Sequence, residues 1–571
     1  MSIAARRDRW RLSGSVRALA WLLALFLLNS ALTFHNRWPT AGVRWTPELS
    51  LDFTVLLLGL ALAAAWWDLN SPRWHNGVLA TFILLTLGRY LDVTAPALMG
   101  RSLDLYWDAP HIPAVANLLL DQVAGWWILL GGLALLALLA TLFLVLRWAV
   151  RVLLTALTQP PTRYALGALA LALLSAYGAG CLSARLPTEY AFSLPVTPML
   201  VGQLRSVLAA TVWRDNRWLA TAAPLPDSDL SRFGQGDVFV IFFESQGALI
   251  FDDPRFAAPL VGDFAALEHT LTASGWRMAT ARVESSTFGG LSWLAHSSLL
   301  SGVRIADPSR YRDLLASTRP TLVKRFAAAG YRTVALMPGL RHAWPEGQFY
   351  GFSAILDAAW LDYRGPAYGG WAIPDQYSLY RLHQAELALP DRRPLFVFFP
   401  TINSHMPFAP TPPYQADWGQ LAALPEPPPH AATGGLSERL DGAALAAAYI
   451  ASVRYNLQVL DGYLRRHAPA NTLIVALGDH QPPAIVGGRD ISWQTPVHIF
   501  SRNPELIAAL QAVGFQAGMT PGAQAWGGIE TLGPLLLRVL DSHQASATDF
   551  PASSPLTTLR APDGPARAHP R

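Results

Sequence analysis

The chain has 571 residues, 52% of them hydrophobic and only 14% charged, with a formal net charge of +4. Such a length exceeds one core and calls for at least two domains, while a charge content well under the ~25% of soluble proteins gives part of the chain lipid as its solvent. The small net charge, with Arg residues beside apolar runs, argues against nucleic-acid binding, and the single cysteine, Cys181, leaves no room for a disulfide framework or a Cys-rich zinc site.

In chain order, five apolar runs come first, at 18–34, 53–67, 77–99, 124–146 and 164–183. A spanning helix needs about 20 mostly apolar residues, so the pattern predicts a five-helix transmembrane bundle over residues 1–184. Arg6, Arg7, Arg9 and Arg11 precede the first run, Arg73 follows the second, and Arg147, Arg151 and Arg163 follow the fourth. The alternate loops hold fewer. This bias predicts a cytoplasmic N-terminus, five crossings and an extracytoplasmic C-terminal half in a bacterial inner membrane. Arg89 and Asp92, three apart inside the third run, share a helix face as an interfacial ion pair or a substrate contact.

Residues 185–236 read as a juxtamembrane linker with a helix near 199–219. From 237 to 545 the pattern changes to short β-rich runs at 238–243, 277–283, 333–336, 395–399, 473–477 and 496–500. Helical patterns at 264–273, 321–329 and 444–466 alternate with them. That order predicts an α/β domain with a mostly parallel central sheet, whose ligands collect at the carboxyl ends of its strands. Residues 546–571 are rich in Pro, Ala and Ser and read as a disordered tail.

Four motifs follow β-like runs. Val238-Phe-Val-Ile-Phe-Phe ends in Glu244, a strand-end acid that serves equally as a ligand or a capping group. Glu284-Ser-Ser-Thr-Phe-Gly-Gly-Leu-Ser-Trp-Leu puts hydroxyls before a Gly pair and an apolar helical run. A helix N-terminus there binds phosphate and favours a nucleophilic hydroxyl, or simply carries a Ser/Thr cap. Thr401-Ile-Asn-Ser-His-Met-Pro-Phe offers His405 to a phosphate oxygen or a metal. Ile474-Val-Ala-Leu-Gly-Asp-His ends in Asp479 and His480, an oxygen and imidazole pair that suits zinc or manganese. Together they supply the inventory of metal-assisted phosphoryl chemistry.

These motifs, in this order behind five spans, resemble the membrane branch of the alkaline-phosphatase/sulfatase superfamily. That branch contains lipoteichoic acid synthases, phosphoglycerol transferases of membrane-derived glucans and lipid A phosphoethanolamine transferases. The resemblance implies a sulfatase-like fold and one divalent metal ion, zinc or manganese, held by Glu244, Thr287, Asp479 and His480. It implies Thr287 as the nucleophile, with Ser285 and Ser286 adjacent, and His405 as the phosphate-binding residue. Trp344 and Asp375 match segments near the family's substrate, whereas Glu346 stands where an Arg is expected. A sulfatase's Cys/Ser-x-Pro-x-Arg setting is absent. The implied reaction moves a phospholipid headgroup onto an envelope glycan or lipid acceptor through a phospho-Thr intermediate. A hydrolase on the same fold and a non-catalytic membrane scaffold or sensor are the alternatives.

Overall fold

The computed structural model describes residues 14–38, 40–109, 112, 125–183, 185–212, 217–368, 373–427, 442–488 and 491–541. Arg6 to Arg11 and the predicted disordered tail lie outside these residues. The chain divides into two compact units, Met1–Trp213 and Arg214–Arg571.

In the first unit, the helices Pro72–Met99, Gly125–Leu157 and Pro160–Leu182 are long and apolar enough to cross a membrane. Gly14–Ser30 and Leu51–Ala63 are shorter apolar helices matching the other two predicted runs. Local chemistry sets their ends. Ser50 accepts the Phe53 amide at the start of Leu51–Ala63. Pro occupies the first turn of Pro72–Met99 and Pro160–Leu182, where its missing N–H costs nothing. Leu28, Phe53, Phe82, Leu146 and Leu154 form the core between helices. Among the described residues, the first two-thirds of Gly125–Leu157 packs against little: Leu129, Leu133, Leu136 and Leu138 are all exposed, an apolar surface that water does not suit. Arg89 is buried, donates to the Phe34 and Leu194 carbonyls at 3.0 and 3.2 Å, and stands 3.8 Å from Asp92. The predicted pair is therefore part of a clamp on the short strand Phe34–Asn36 and the segment at Leu194.

The second unit is built on a nine-stranded sheet. Its strands are β1 Asp237–Phe243, β2 Arg277–Glu284, β3 Arg332–Met337, β4 Ala354–Asp357, β5 Leu395–Pro400, β6 Thr472–Gly478, β7 Gln494–Ser501, β8 Gln516–Ala517 and β9 Ala525–Gly528. The order is β8-β2-β7-β6-β1-β5-β3-β4, with β9 paired to β2. The sheet is mixed. From β6 to β4 neighbours run parallel, while β7 is antiparallel to both β6 and β2.

Alternation along the strands builds two cores. Phe239, Ile241 and Phe243 of β1 face the helices Pro254–Ala273 and Gly442–Arg466, whose Leu260, Leu267, Tyr449 and Tyr463 join the same cluster. Val238, Val240 and Phe242 face the other side, with Leu299 of the helix Ser292–Ser301 and Leu506 of Pro504–Ala512. At the amino-terminal edge, buried Asp237 takes a bidentate pair from Arg392, 2.6 Å at each oxygen, and also accepts the Leu395 amide. This pins the start of β1 to the start of β5. Asp237→Ala leaves Arg392 without its partner, and the expected loss is about 3 kcal/mol of unfolding free energy. Denaturant melts of the purified protein check this; an unchanged midpoint refutes the clamp.

Candidate metal centre and active site

Four of the sheet's segments end at one edge. Gly478 lies opposite Phe243, Pro400 opposite Phe242 and Glu284 opposite Gln494. The next residues are Glu244, Asp479-His480, the Thr401 loop and Ser285, so all four predicted motifs leave from this edge. Glu244, Asp479 and His480 are brought together. One ligand atom from each lies within 4.8 Å of the others, and the three residues are 9%, 0% and 1% exposed.

The backbone around them is tightly specified. Ser245 has φ of 59°, a left-handed conformation costly for a non-Gly residue. It is held by its amide donating to Asp479 Oδ1 at 2.8 Å and by Tyr449 Oη donating to its carbonyl at 2.8 Å. Gly478 admits no side chain, because a Cβ would stand 1.8 Å from the Gln246 carbonyl oxygen. His480 Nδ1 is 2.7 Å from the Gln481 carbonyl. A carbonyl only accepts, so Nδ1 carries the proton and Nε2 presents its lone pair to the cluster, 3.4 Å from Glu244 Oε1.

Two hydroxyls touch this cluster: Ser245 Oγ donates to Glu244 Oε1 at 3.0 Å, and Ser292 reaches both Glu244 and His480. The Ser292 Oγ is 2.9 Å from Glu244 Oε2 and 3.1 Å from His480 Nε2. Ser292 is the first residue of the helix Ser292–Ser301 and follows a turn in which Gly289, Gly290 and Leu291 all have positive φ. The predicted nucleophile Thr287 is buried earlier in that loop and donates to the Gly290 carbonyl at 2.6 Å. Ser285 donates to the Asp479 carbonyl, and Ser286 accepts from Ser298. Sequence reading passed over Ser292; its signal was its place at the helix start, just past the Gly pair.

The remaining predicted residues divide. Asp375 is buried, and its two carboxylate oxygens each accept a 2.9 Å bond from the Ile402 and Asn403 amides. It thus shapes the Thr401 loop, in which Thr401 Oγ1 accepts the Glu244 amide and Ser404 donates to the Glu244 carbonyl. His405 is exposed on that loop, its Nδ1 donating to the Met406 carbonyl, near enough to act electrostatically on Glu244 and His480. Trp344 packs elsewhere, stacked on Tyr350 and beside Phe352. Trp371, in the Gly-Trp-Ala-Ile-Pro-Asp segment that resembles the family at Asp375, lies outside the described residues.

Residues 237–505 match the sulfatase family model. This stretch is a sulfatase-family domain. A search of curated proteins gave no match. Solved structures similar to the chain include the lipoteichoic acid synthase LtaP from Listeria monocytogenes, at 12% identity and TM-score 0.37, covering 54% of this chain and 74% of that one. The phosphoglycerol transferase GacH of Streptococcus pyogenes matches at 14% identity and TM-score 0.34, over 56% and 82%. The C-terminal periplasmic domain of EptC from Escherichia coli matches at 13% and TM-score 0.33, over 49% and 76%.

The sulfatase domain's donor set fits a divalent cation. Asp479 Oδ2 is buried without a hydrogen-bond partner among the described residues, which is costly unless something positive meets it. Burial alone would raise the Glu244 carboxyl, but His480, His405 and its hydrogen bonds hold it down at about 2. Burial and the Glu244 charge push Asp479 well above the ordinary carboxylate range. Burial pushes His480 down, which keeps the imidazole neutral. Two carboxylates this close cannot both ionise comfortably without a cation. Glu244, Asp479 and His480 would hold it, two oxygens and one nitrogen being a set that zinc or manganese accepts.

Glu244→Gln and Asp479→Asn are each expected to weaken zinc or manganese binding by at least about tenfold. Elemental analysis and titration calorimetry measure it; binding equal to wild type removes these residues from the ligand set. A second test uses Asp375, which burial raises to about 7. The unfolded carboxyl ionises near 4, so between pH about 4 and about 7 the unfolded chain binds fewer protons than the folded one. Stability relative to Asp375→Asn should fall across that window as pH rises. Parallel melting curves of the two proteins would contradict it.

Proposed function

We propose that this protein is a membrane-anchored, metal-dependent phosphotransferase. In this reading it moves a phospholipid headgroup, phosphoglycerol or phosphoethanolamine, onto an envelope glycan or lipid acceptor. Five helices span the inner membrane, the N-terminus is cytoplasmic, and residues 237–545 form the catalytic domain on the outer side. The observation that carries the chemistry is the Ser292 hydroxyl resting on both Glu244 and His480. The apolar helices of the first unit and the sulfatase-family domain support the rest.

A bound divalent cation supplies Lewis-acid charge at the attacking hydroxyl and the phosphoryl oxygens. The geometry favours Ser292 over Thr287 as nucleophile, since Thr287 spends its proton on the Gly290 carbonyl. Ser292 Oγ attacks phosphorus, the bond to the diacylglycerol oxygen breaks, and the hydroxyl proton ends on that oxygen. An acceptor hydroxyl then takes the phosphoryl group by the reverse sequence, which restores Ser292. His405, exposed at the rim, donates to phosphoryl oxygens. Asp375 keeps the His405 loop in place through the Ile402 and Asn403 amides. Ser292 is followed by Trp293, Leu294, Ala295 and His296, without the Pro and Arg of a sulfatase nucleophile setting, so sulfate-ester chemistry is not supported.

Donor-lipid turnover in membranes separates the assignments. Ser292→Ala should lower diacylglycerol release by about a thousandfold or more, whereas Thr287→Ala retains most of it. A phosphorylated tryptic peptide containing Ser292 is expected when the acceptor is withheld. Loss with Thr287→Ala alone moves the nucleophile to Thr287, and turnover undiminished in both variants ends the phosphotransferase reading.

A further inference from the structure

The membrane unit holds a cavity that the reaction above does not use. It measures about 310 Å³ and lies between the start of the helix Pro72–Met99 and the last turns of Gly125–Leu157. Asn70, His75, Asn76, Arg147 and Arg151 line it, beside Leu79 and Val150. Arg147 and Arg151 are four apart on one helix and so share a face. Both are exposed, and neither guanidinium has a hydrogen bond, ion pair or ring contact among the described residues. No carboxylate lines the cavity. Asp68, close in sequence, accepts the Asn70 amide instead.

The contrast with Arg163 is informative. Arg163 stands in the next helix and donates to the Ala64 carbonyl at 2.8 Å while lying over the Tyr164 ring. It holds two helices together. Arg147 and Arg151 hold nothing in the protein, yet they flank a cavity of the size that small ligands fill. Their height is also defined. The apolar stretch before Arg147 is about 20 residues, one hydrocarbon thickness, and Trp148 follows it, as at a membrane interface. The cavity is at the end of the bundle opposite Met99, Gly125 and Leu182.

We propose that this cavity binds the phosphate headgroup of an anionic phospholipid from the inner leaflet. The guanidinium groups of Arg147 and Arg151 meet the phosphate charge, with Asn70 and Asn76 as neutral donors. Leu79 and Val150 continue the wall toward the acyl region. The inference rests on the first unit lying in a bilayer with the orientation proposed above; it does not depend on the transferase reading.

The test uses the full-length protein in phosphatidylcholine nanodiscs with or without phosphatidylglycerol, scoring retained phosphatidylglycerol by native mass spectrometry. The double variant Arg147→Gln/Arg151→Gln should lose about 30-fold in apparent affinity. Arg73→Gln, which removes an arginine from the same end but not from the cavity lining, should leave it unchanged. Equal loss in Arg73→Gln overturns the proposal in favour of general surface attraction. So does retention in the double variant. Displacement of the lipid by millimolar inorganic phosphate overturns the lipid as occupant and makes the site one for free phosphate. Both substituted arginines are exposed, and matching melting curves confirm that the variants fold.

Discussion

The site depends on the parallel pairing of β1 with β6. Their register sets Phe243 opposite Gly478, so both strands stop at the same level and their next residues emerge side by side. Those residues are Glu244 and Asp479. No long-range folding of a flexible loop is needed to assemble the acidic pair; the backbone ladder does it. The ladder also explains two local oddities. Gly478 sits where a Cβ would strike the Gln246 carbonyl, and Ser245 turns into a left-handed conformation so that its amide reaches Asp479. Each is a consequence of bringing two chain reversals within hydrogen-bonding distance.

That closeness has an electrostatic consequence. Three ionisable groups are gathered where little water reaches them, and the two carboxylate charges push one another apart. Glu244 stays ionised, while Asp479 resists ionisation beside it. A fold that arranges such a conflict must offset it by strong scaffolding. The Asp237–Arg392 clamp at the far end of β1 fixes the strand, and Tyr449, Thr401 and Ser404 fix the turn beyond its near end. Asp375 acts one step further back. It touches none of Glu244, Asp479 and His480, but it organises the loop whose Thr401 and Ser404 grip the Glu244 backbone. Stability is given up locally to hold a donor set ready for a cation, a trade expected at functional sites.

Much of this was legible in the sequence, for physical reasons that differ by element. The buried strands β1, β5 and β6 announce themselves as unbroken apolar runs closed by polar residues. Glu244 and the Asp479-His480 pair could be brought together because each directly follows such a run. The reversed direction of β7 was not legible, since hydropathy along 496–500 is the same read either way. The contact of Ser292 with Glu244 and His480 was missed for a geometric reason. The family resemblance pointed to Thr287, just before the Gly pair, but the turn at Gly289, Gly290 and Leu291 carries the chain back. The helix that starts at Ser292 therefore presents its own first hydroxyl to the cluster. Trp344 resembles a substrate-contacting residue in sequence, yet its ring is committed to Tyr350.

Arginine shows how contacts sort structure from function in the membrane unit. A guanidinium in or near lipid is expensive, so each one must be answered by a partner. Arg89 is answered by the Phe34 and Leu194 carbonyls and Asp92, and Arg163 by the Ala64 carbonyl and an aromatic face. Those partners lie within the protein, and they explain why the residues are there. For Arg147 and Arg151 the described residues supply none, and the cavity beside them contains only neutral donors and apolar walls. In the lipid-binding proposal their counter-charge comes from the bilayer. A phosphate at headgroup height supplies it at the least cost, because the helix already places both guanidinium groups on one face at that depth.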